Sequence, residues 1–168
     1  MDDAETRNGA GAGTEQAEAD RPVIEDAALV GSWRLLSFDL EAGDGTLSHP
    51  FGEEVTGYLF YNADGYMSSA FMSADRAAGA GGDLAVAGRT NSYDRFMAYC
   101  GGYRVRGDKI THRVEVSSLA AWTGTLQERW YKIDGDRLEL LTAPLSVGGD
   151  TPVARLVWER TNEAVPPR

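Results

Sequence analysis

Eight segments between Gly31 and Glu159 carry the marks of short β-strands, and turns rich in Gly, Asp and Asn separate most of them. The strands are predicted over 31–40, 55–62, 65–72, 99–106, 109–117, 125–133, 137–142 and 152–160. Turn signals stand at Asn62-Ala63-Asp64-Gly65, Arg106-Gly107-Asp108, Asp134-Gly135-Asp136 and Gly148-Gly149-Asp150. Residues of these types tolerate the positive φ that tight hairpins need. Eight antiparallel strands in sequence can close into an up-and-down barrel, whose interior is either a packed core or a small-molecule pocket. The expected fold is therefore an all-β, eight-stranded antiparallel barrel with one short helix.

Alternation says which side chains face inward. In 109–117, Ile110, His112, Val114 and Val116 share one face and Thr111, Arg113, Glu115 and Ser117 the other. The apolar face should point in and carry His112 with it. A histidine on an apolar face is either a satisfied core residue or a ligand-contacting or catalytic group. A three-residue loop at Asn62–Gly65 aligns Leu59 and Tyr61 with Met67, Ser69 and Phe71. Ala154, Leu156 and Trp158 form the inward set of the last strand. The strand 125–133 has two readings. A two-residue Asp134-Gly135 turn sends Gln127, Arg129 and Tyr131 to the face of Leu138 and Leu140, whereas a three-residue loop sends Glu128 and Trp130 in. An inward Arg129 would need a carboxylate or an anionic ligand, because an unpaired interior charge costs several kcal/mol.

The chain has 168 residues and a net charge of −10, and residues 1–26 alone hold eight acids against Arg7 and Arg21. The remainder is ordinary for a water-soluble domain, and no basic stripe supports nucleic-acid binding. No apolar run approaches a membrane span and the N-terminus lacks the pattern of a secretory signal, so a cytoplasmic protein is expected. The single Cys100 excludes an internal disulfide framework. A monomer or weak homodimer is anticipated.

The segment 1–27 is acidic and poor in large apolar side chains, a composition that resists ordering. It reads as a disordered tail, or as a lid that orders over the barrel mouth when ligand binds. Val23-Ile24 and Ala27-Ala28-Leu29-Val30 are suited to a short amphipathic turn plugging one barrel end. The barrel proper is expected over 28–161 and a tail over 162–168. A Gly/Ala-rich stretch, 73–89, leads to a helix expected over 92–98, with Tyr93, Phe96 and Met97 on its apolar side.

Two histidines and one cysteine give no metal-binding spacing. No G-x-S-x-G, phosphate loop or C-x-x-C occurs. No cofactor or metal is expected.

Gly31-Ser32-Trp33 resembles the lipocalin G-x-W opening, whose tryptophan closes the barrel floor. A longer ordered set (Leu29–Leu35, Pro50-Phe51-Gly52, Gly57–Tyr61, Asp64–Ser68, Ile110-Thr111-His112, Trp122-Thr123-Gly124, Asp134–Leu138 and Leu156–Arg160) resembles the bacterial and fungal lipocalin-like domain family over about residues 28–161. The resemblance implies a lipocalin-like calyx for a small hydrophobic molecule. In architecture it is also similar to small barrel cyclases of polyketide biosynthesis (spirotetramate- and spirotetronate-forming), which implies cofactor-free Diels–Alder-type cyclisation in an antibiotic pathway. Fold alone does not confer activity.

Two functions stay open. One is a cofactor-independent cyclase or isomerase that holds a flexible polyketide-type chain in its reactive shape. His112, Tyr61 and Gln127 would be its catalytic groups, with Leu59, Met67, Ser69, Phe71, Arg129, Tyr131 and Trp158 contacting substrate. The other is a carrier or sequestering protein with no turnover. Both need an apolar pocket with a few polar groups.

Overall fold

A computed structural model of the chain describes residues 24–78, 95–145 and 151–161. Its strands are β1 (Gly31–Glu41), β2 (Leu47–Ser48), β3 (Val55–Tyr61), β4 (Tyr66–Ser73), β5 (Phe96–Arg106), β6 (Lys109–Ser117), β7 (Leu126–Asp134), β8 (Arg137–Thr142) and β9 (Val153–Arg160). From β3 to β9 each strand pairs antiparallel with the next, and β1 pairs with both β3 and β9. Eight strands thus close an antiparallel barrel, with β2 a short ribbon on β1. Closure removes the unpaired edges an open sheet would expose.

The helix expected over 92–98 is corrected in part. Phe96, Met97 and Ala98 are extended in β5, opposite Met72, Phe71 and Ala70 of β4, while 92–94 lie outside the described residues. Pairing with the end of β4 outweighs the local preference for helix. Helical structure among the described residues is one turn at Asp75–Ala78 and two 3₁₀ turns, Ala27–Leu29 and Ala120–Trp122. Most of the stretch 73–89, the acidic segment 1–23 and the tail 162–168 also lie outside them, so the tail-or-lid reading of the N-terminus finds no structure to weigh.

Two bulges set which side chains face in. In β1 the register steps between Leu35 and Ser37, leaving Leu36 as the extra residue. Trp33 and Leu35 face inward before it, and Phe38 and Leu40 after it, opposite Leu156 and Ala154. In β6 the register steps at Cys100/Gly101, so Glu115 is extra and Val116 turns outward, 63% exposed. This corrects the inward placement of Val116, since plain alternation cannot foresee an inserted residue. Gly101 allows the bulge: a Cβ there would lie 2.0 Å from the Arg113 carbonyl oxygen.

One end of the barrel is closed around Trp33, which is fully buried. Its indole Nε1 donates to the Leu29 carbonyl at 3.0 Å. The Arg160 guanidinium lies 4.1 Å from its ring centroid and donates to the carbonyls of Val30 and Ala28. The segment from Ile24 to Val30 is stitched to this end. Ile24 bridges Val105, the Gly107 N–H donates to Glu25 at 2.9 Å, and the Tyr131 hydroxyl donates to Asp26 at 3.0 Å. Fully buried Leu29 fills the floor beside Trp33. The opposite end is lined by partly buried Phe38, Leu40, Phe51, Val55, Met97 and Trp122. No described helix is long and apolar enough to cross a membrane.

Candidate functional site: the barrel interior

The inward faces converge on His112. It sits on β6 opposite Tyr103 of β5 and Gln127 of β7, and is fully buried. Its Nε2 lies 2.7 Å from the Tyr61 hydroxyl and its Nδ1 lies 3.2 Å from the Tyr99 hydroxyl. Burial, reinforced by the charge of Arg129, holds the imidazole well below its ordinary value. The ring is therefore neutral near pH 7, with one N–H and one bare nitrogen. The tyrosine facing the bare nitrogen donates to it, and the other accepts from the ring N–H. Burial, with Tyr99 adding to it, pushes the Tyr61 phenol well above its ordinary value, although Arg129 pulls the other way. Tyr61, His112 and Tyr99 thus form a neutral chain capable of passing a proton but not of holding a charge cheaply.

A two-residue turn settles β7, with Gly135-Asp136 as its central pair where Asp134-Gly135 was expected, a shift of one residue in both strands that keeps the same faces together. Asp134 pairs with Arg137, and Gly135 takes a positive φ of 57° at the first turn position, as a type II′ hairpin requires. The register then aligns Arg129, Tyr131 and Ile133 with Thr142, Leu140 and Leu138. Arg129 is only 4% exposed. One of its nitrogens donates to the Glu128 carbonyl at 2.7 Å, and its guanidinium lies 5.7 Å from the Trp122 ring centroid.

Leu59, Tyr61, Met67, Ser69, Phe71, His112, Arg129 and Trp158 are all buried on inward faces. Gln127 faces the same way, but its amide donates to Thr125 Oγ1 at 2.9 Å, apart from the His112 chain. Tyr131 is separate too. Its hydroxyl is bound to Asp26 at the closed end, and burial together with that contact pushes its phenol up to about 12. Phe38, Phe51 and Phe71 form a ring cluster with centroids 4.8–5.5 Å apart, and Phe71 meets Trp158 edge-on at 6.4 Å.

Two contributors escaped the sequence reading. Tyr99 is the second partner of His112; the alternation Tyr99, Gly101, Tyr103, Val105 would have turned it inward, but the expected helix ended just before it. Trp122 lies edge-on to Tyr99 at 5.5 Å and beside Arg129. It stands on a 3₁₀ turn, where strand alternation gives no orientation.

Among the described residues no three His, Cys, Asp or Glu side chains are grouped as a metal site would need. A groove of about 780 Å³ crosses the outer surface of β4 to β7, lined by Tyr66, Arg104, Lys109, Arg113 and Glu128 among others. Two of its cations are already engaged, Lys109 with Glu128 and Arg113 with Glu115. Exposed pairs of this kind do little for binding.

The lipocalin-like domain model matches residues 30–161, the whole barrel from β1 to β9. The chain belongs to the lipocalin-like domain family. It is similar to the 4'-hydroxy-3'-methoxypropiophenone carrier protein ppsC of Aspergillus oryzae, 37% identical over an alignment of 87 positions that covers 46% of this chain and 74% of that protein.

Proposed function

We propose that this barrel is a water-soluble cytoplasmic carrier, which takes up a small, largely apolar molecule bearing polar oxygens and releases it unchanged. The observation that carries the reading is the interior itself. Inward aromatic and aliphatic side chains surround a few fixed polar groups, the composition small-molecule pockets share. The likeness to a protein named as the carrier of an aryl ketone supports the same class of ligand. Neutral Tyr61, His112 and Tyr99 suit a carbonyl or hydroxyl better than a hydrocarbon, because each polar group then keeps a partner.

A second reading, the cofactor-independent cyclase or isomerase, draws on the same chain. A neutral imidazole between two phenols can take a proton at one nitrogen while giving one up at the other, which is what an enolising isomerase asks of its acid–base group. One experiment separates the two. The protein is equilibrated with 4'-hydroxy-3'-methoxypropiophenone and with a flexible polyene ketone, and the bound fraction is extracted for chromatography and mass spectrometry. Saturable binding with recovery of the starting compound supports the carrier. A product of equal mass and new retention time supports the isomerase. No saturable binding of either compound contradicts both.

A further inference from the structure

We propose that the ligand carries an acidic oxygen, and that Arg129 is its anchor: the molecule is held as a carboxylate, phenolate or enolate rather than as a neutral compound. This rests on the carrier reading and narrows its ligand to a chemical class.

Arg129 cannot escape the interior. The two-residue turn after Asp134 fixes the register of β7 against β8, and a one-residue slip would turn Leu138 and Leu140 out to water. Its neighbours across the sheet, Ile110 and Thr142, are buried as well. A guanidinium offers five N–H donors, and here one hydrogen bond, to the Glu128 carbonyl, is made. None of the ion pairs among the described residues includes Arg129. Nor is there a carboxylate among the buried polar residues, which are Ser69, Ser73, His112, Arg129 and Thr142. The magnitudes do not balance within the protein. A buried charge without a counter-ion is costly, and the contact with a single aromatic ring, Trp122, returns only part of that cost.

A second buried donor points the same way. Trp158 is 1% exposed, and its Nε1–H has no acceptor. Among the described residues, the interior thus holds unused donors and one cation but no anion. A ligand oxygen acid supplies the missing counter-charge, and a planar guanidinium is the group best shaped to hold one. The charge of Arg129 already reaches the neutral His112 and Tyr61, so an anion seated on it lies close to their polar chain.

The test compares acids with their capped isosteres. In one arm 2-naphthylacetate is titrated against its methyl ester; in the other 4'-hydroxypropiophenone, at a pH where the phenol is ionised, is titrated against 4'-methoxypropiophenone. Wild-type protein should bind at least one acid about tenfold or more tightly than its capped partner, and the arm that shows the preference tells carboxylate from phenolate. In Arg129→Met the preference should vanish while the capped compounds bind as before. The urea midpoint of ligand-free Arg129→Met should equal or exceed that of wild type, since an unpaired charge has been replaced by an apolar chain. Equal binding of acid and capped compound by wild type overturns the proposal and leaves the carrier reading standing. So does a preference that survives in Arg129→Met. Failure of all four compounds to bind overturns the carrier reading and the proposal together. The wild-type comparison decides even if the variant does not fold.

Discussion

The Tyr61 hydroxyl and His112 Nε2 lie 2.7 Å apart, and both side chains are shut away from water. The two residues are 51 positions apart in sequence, and they meet because the β3–β4 and β5–β6 registers turn both inward. A phenol and an imidazole in that setting stabilise each other only as neutral groups. Protonating the ring would bury a second cation near Arg129.

Acid should therefore loosen the fold through His112. Its native pKa is depressed below the ordinary 6.5 by burial first and by Arg129 second, so below 6.5 the unfolded chain binds the proton and the native one does not. The stability this group contributes is fully present above 6.5 and is lost as pH falls toward the native pKa. Urea unfolding should show stability dropping as pH falls below 6.5, with a slope of up to about 1.4 kcal/mol per pH unit. His112→Gln should flatten that slope. An unchanged slope in the variant would assign the effect to other groups.

Gly101→Ala should be among the most damaging single-methyl additions in the chain. The added Cβ meets the Arg113 carbonyl at 2.0 Å, and a backbone atom cannot rotate away as a side chain can. Thermal or urea unfolding should show a loss of about 3 kcal/mol or more. Gly43→Ala, where nothing lies within 4 Å, should change stability by less than about 0.5 kcal/mol. Similar effects at the two sites would disprove the close approach of β5 and β6.

Arg160→Met tests the closed end. It removes the cation stacked on Trp33 and the donors to Val30 and Ala28, leaving two carbonyls short of partners. A loss of about 2–4 kcal/mol is expected. Arg160→Lys should recover only part of it, because an ammonium cannot stack and fork at once. Full recovery with lysine would mean that charge alone matters there.

The barrel was legible in the sequence because its hairpins announce themselves. Gly65, Gly107 and Gly135 stand where the chain takes positive φ, and alternation then turned Leu59, Tyr61, Met67, Ser69, Phe71, Ile110 and His112 inward. What failed did so where period-two counting stops being valid. Val116 lies beyond a bulge that inserts Glu115, and Phe96–Ala98 were drawn into β5 by pairing with β4 against a local helix signal. Arg129 hung on a single turn length, which composition does not fix. The partnership of Tyr61, His112 and Tyr99 depends on registers between strands far apart in sequence, so Tyr61 and His112 could be nominated but Tyr99 and the arrangement of the three could not be read.

The most direct test of ligand binding in front of His112 uses the two histidines as reporters. His49 lies on the outside, paired with Asp39 at 2.9 Å, whereas His112 faces the interior. With 15N-labelled histidine, titration of 4'-hydroxy-3'-methoxypropiophenone should shift the His112 ring resonances saturably and leave those of His49 in place. Saturable binding that moves only His49, or neither ring, would contradict an interior site.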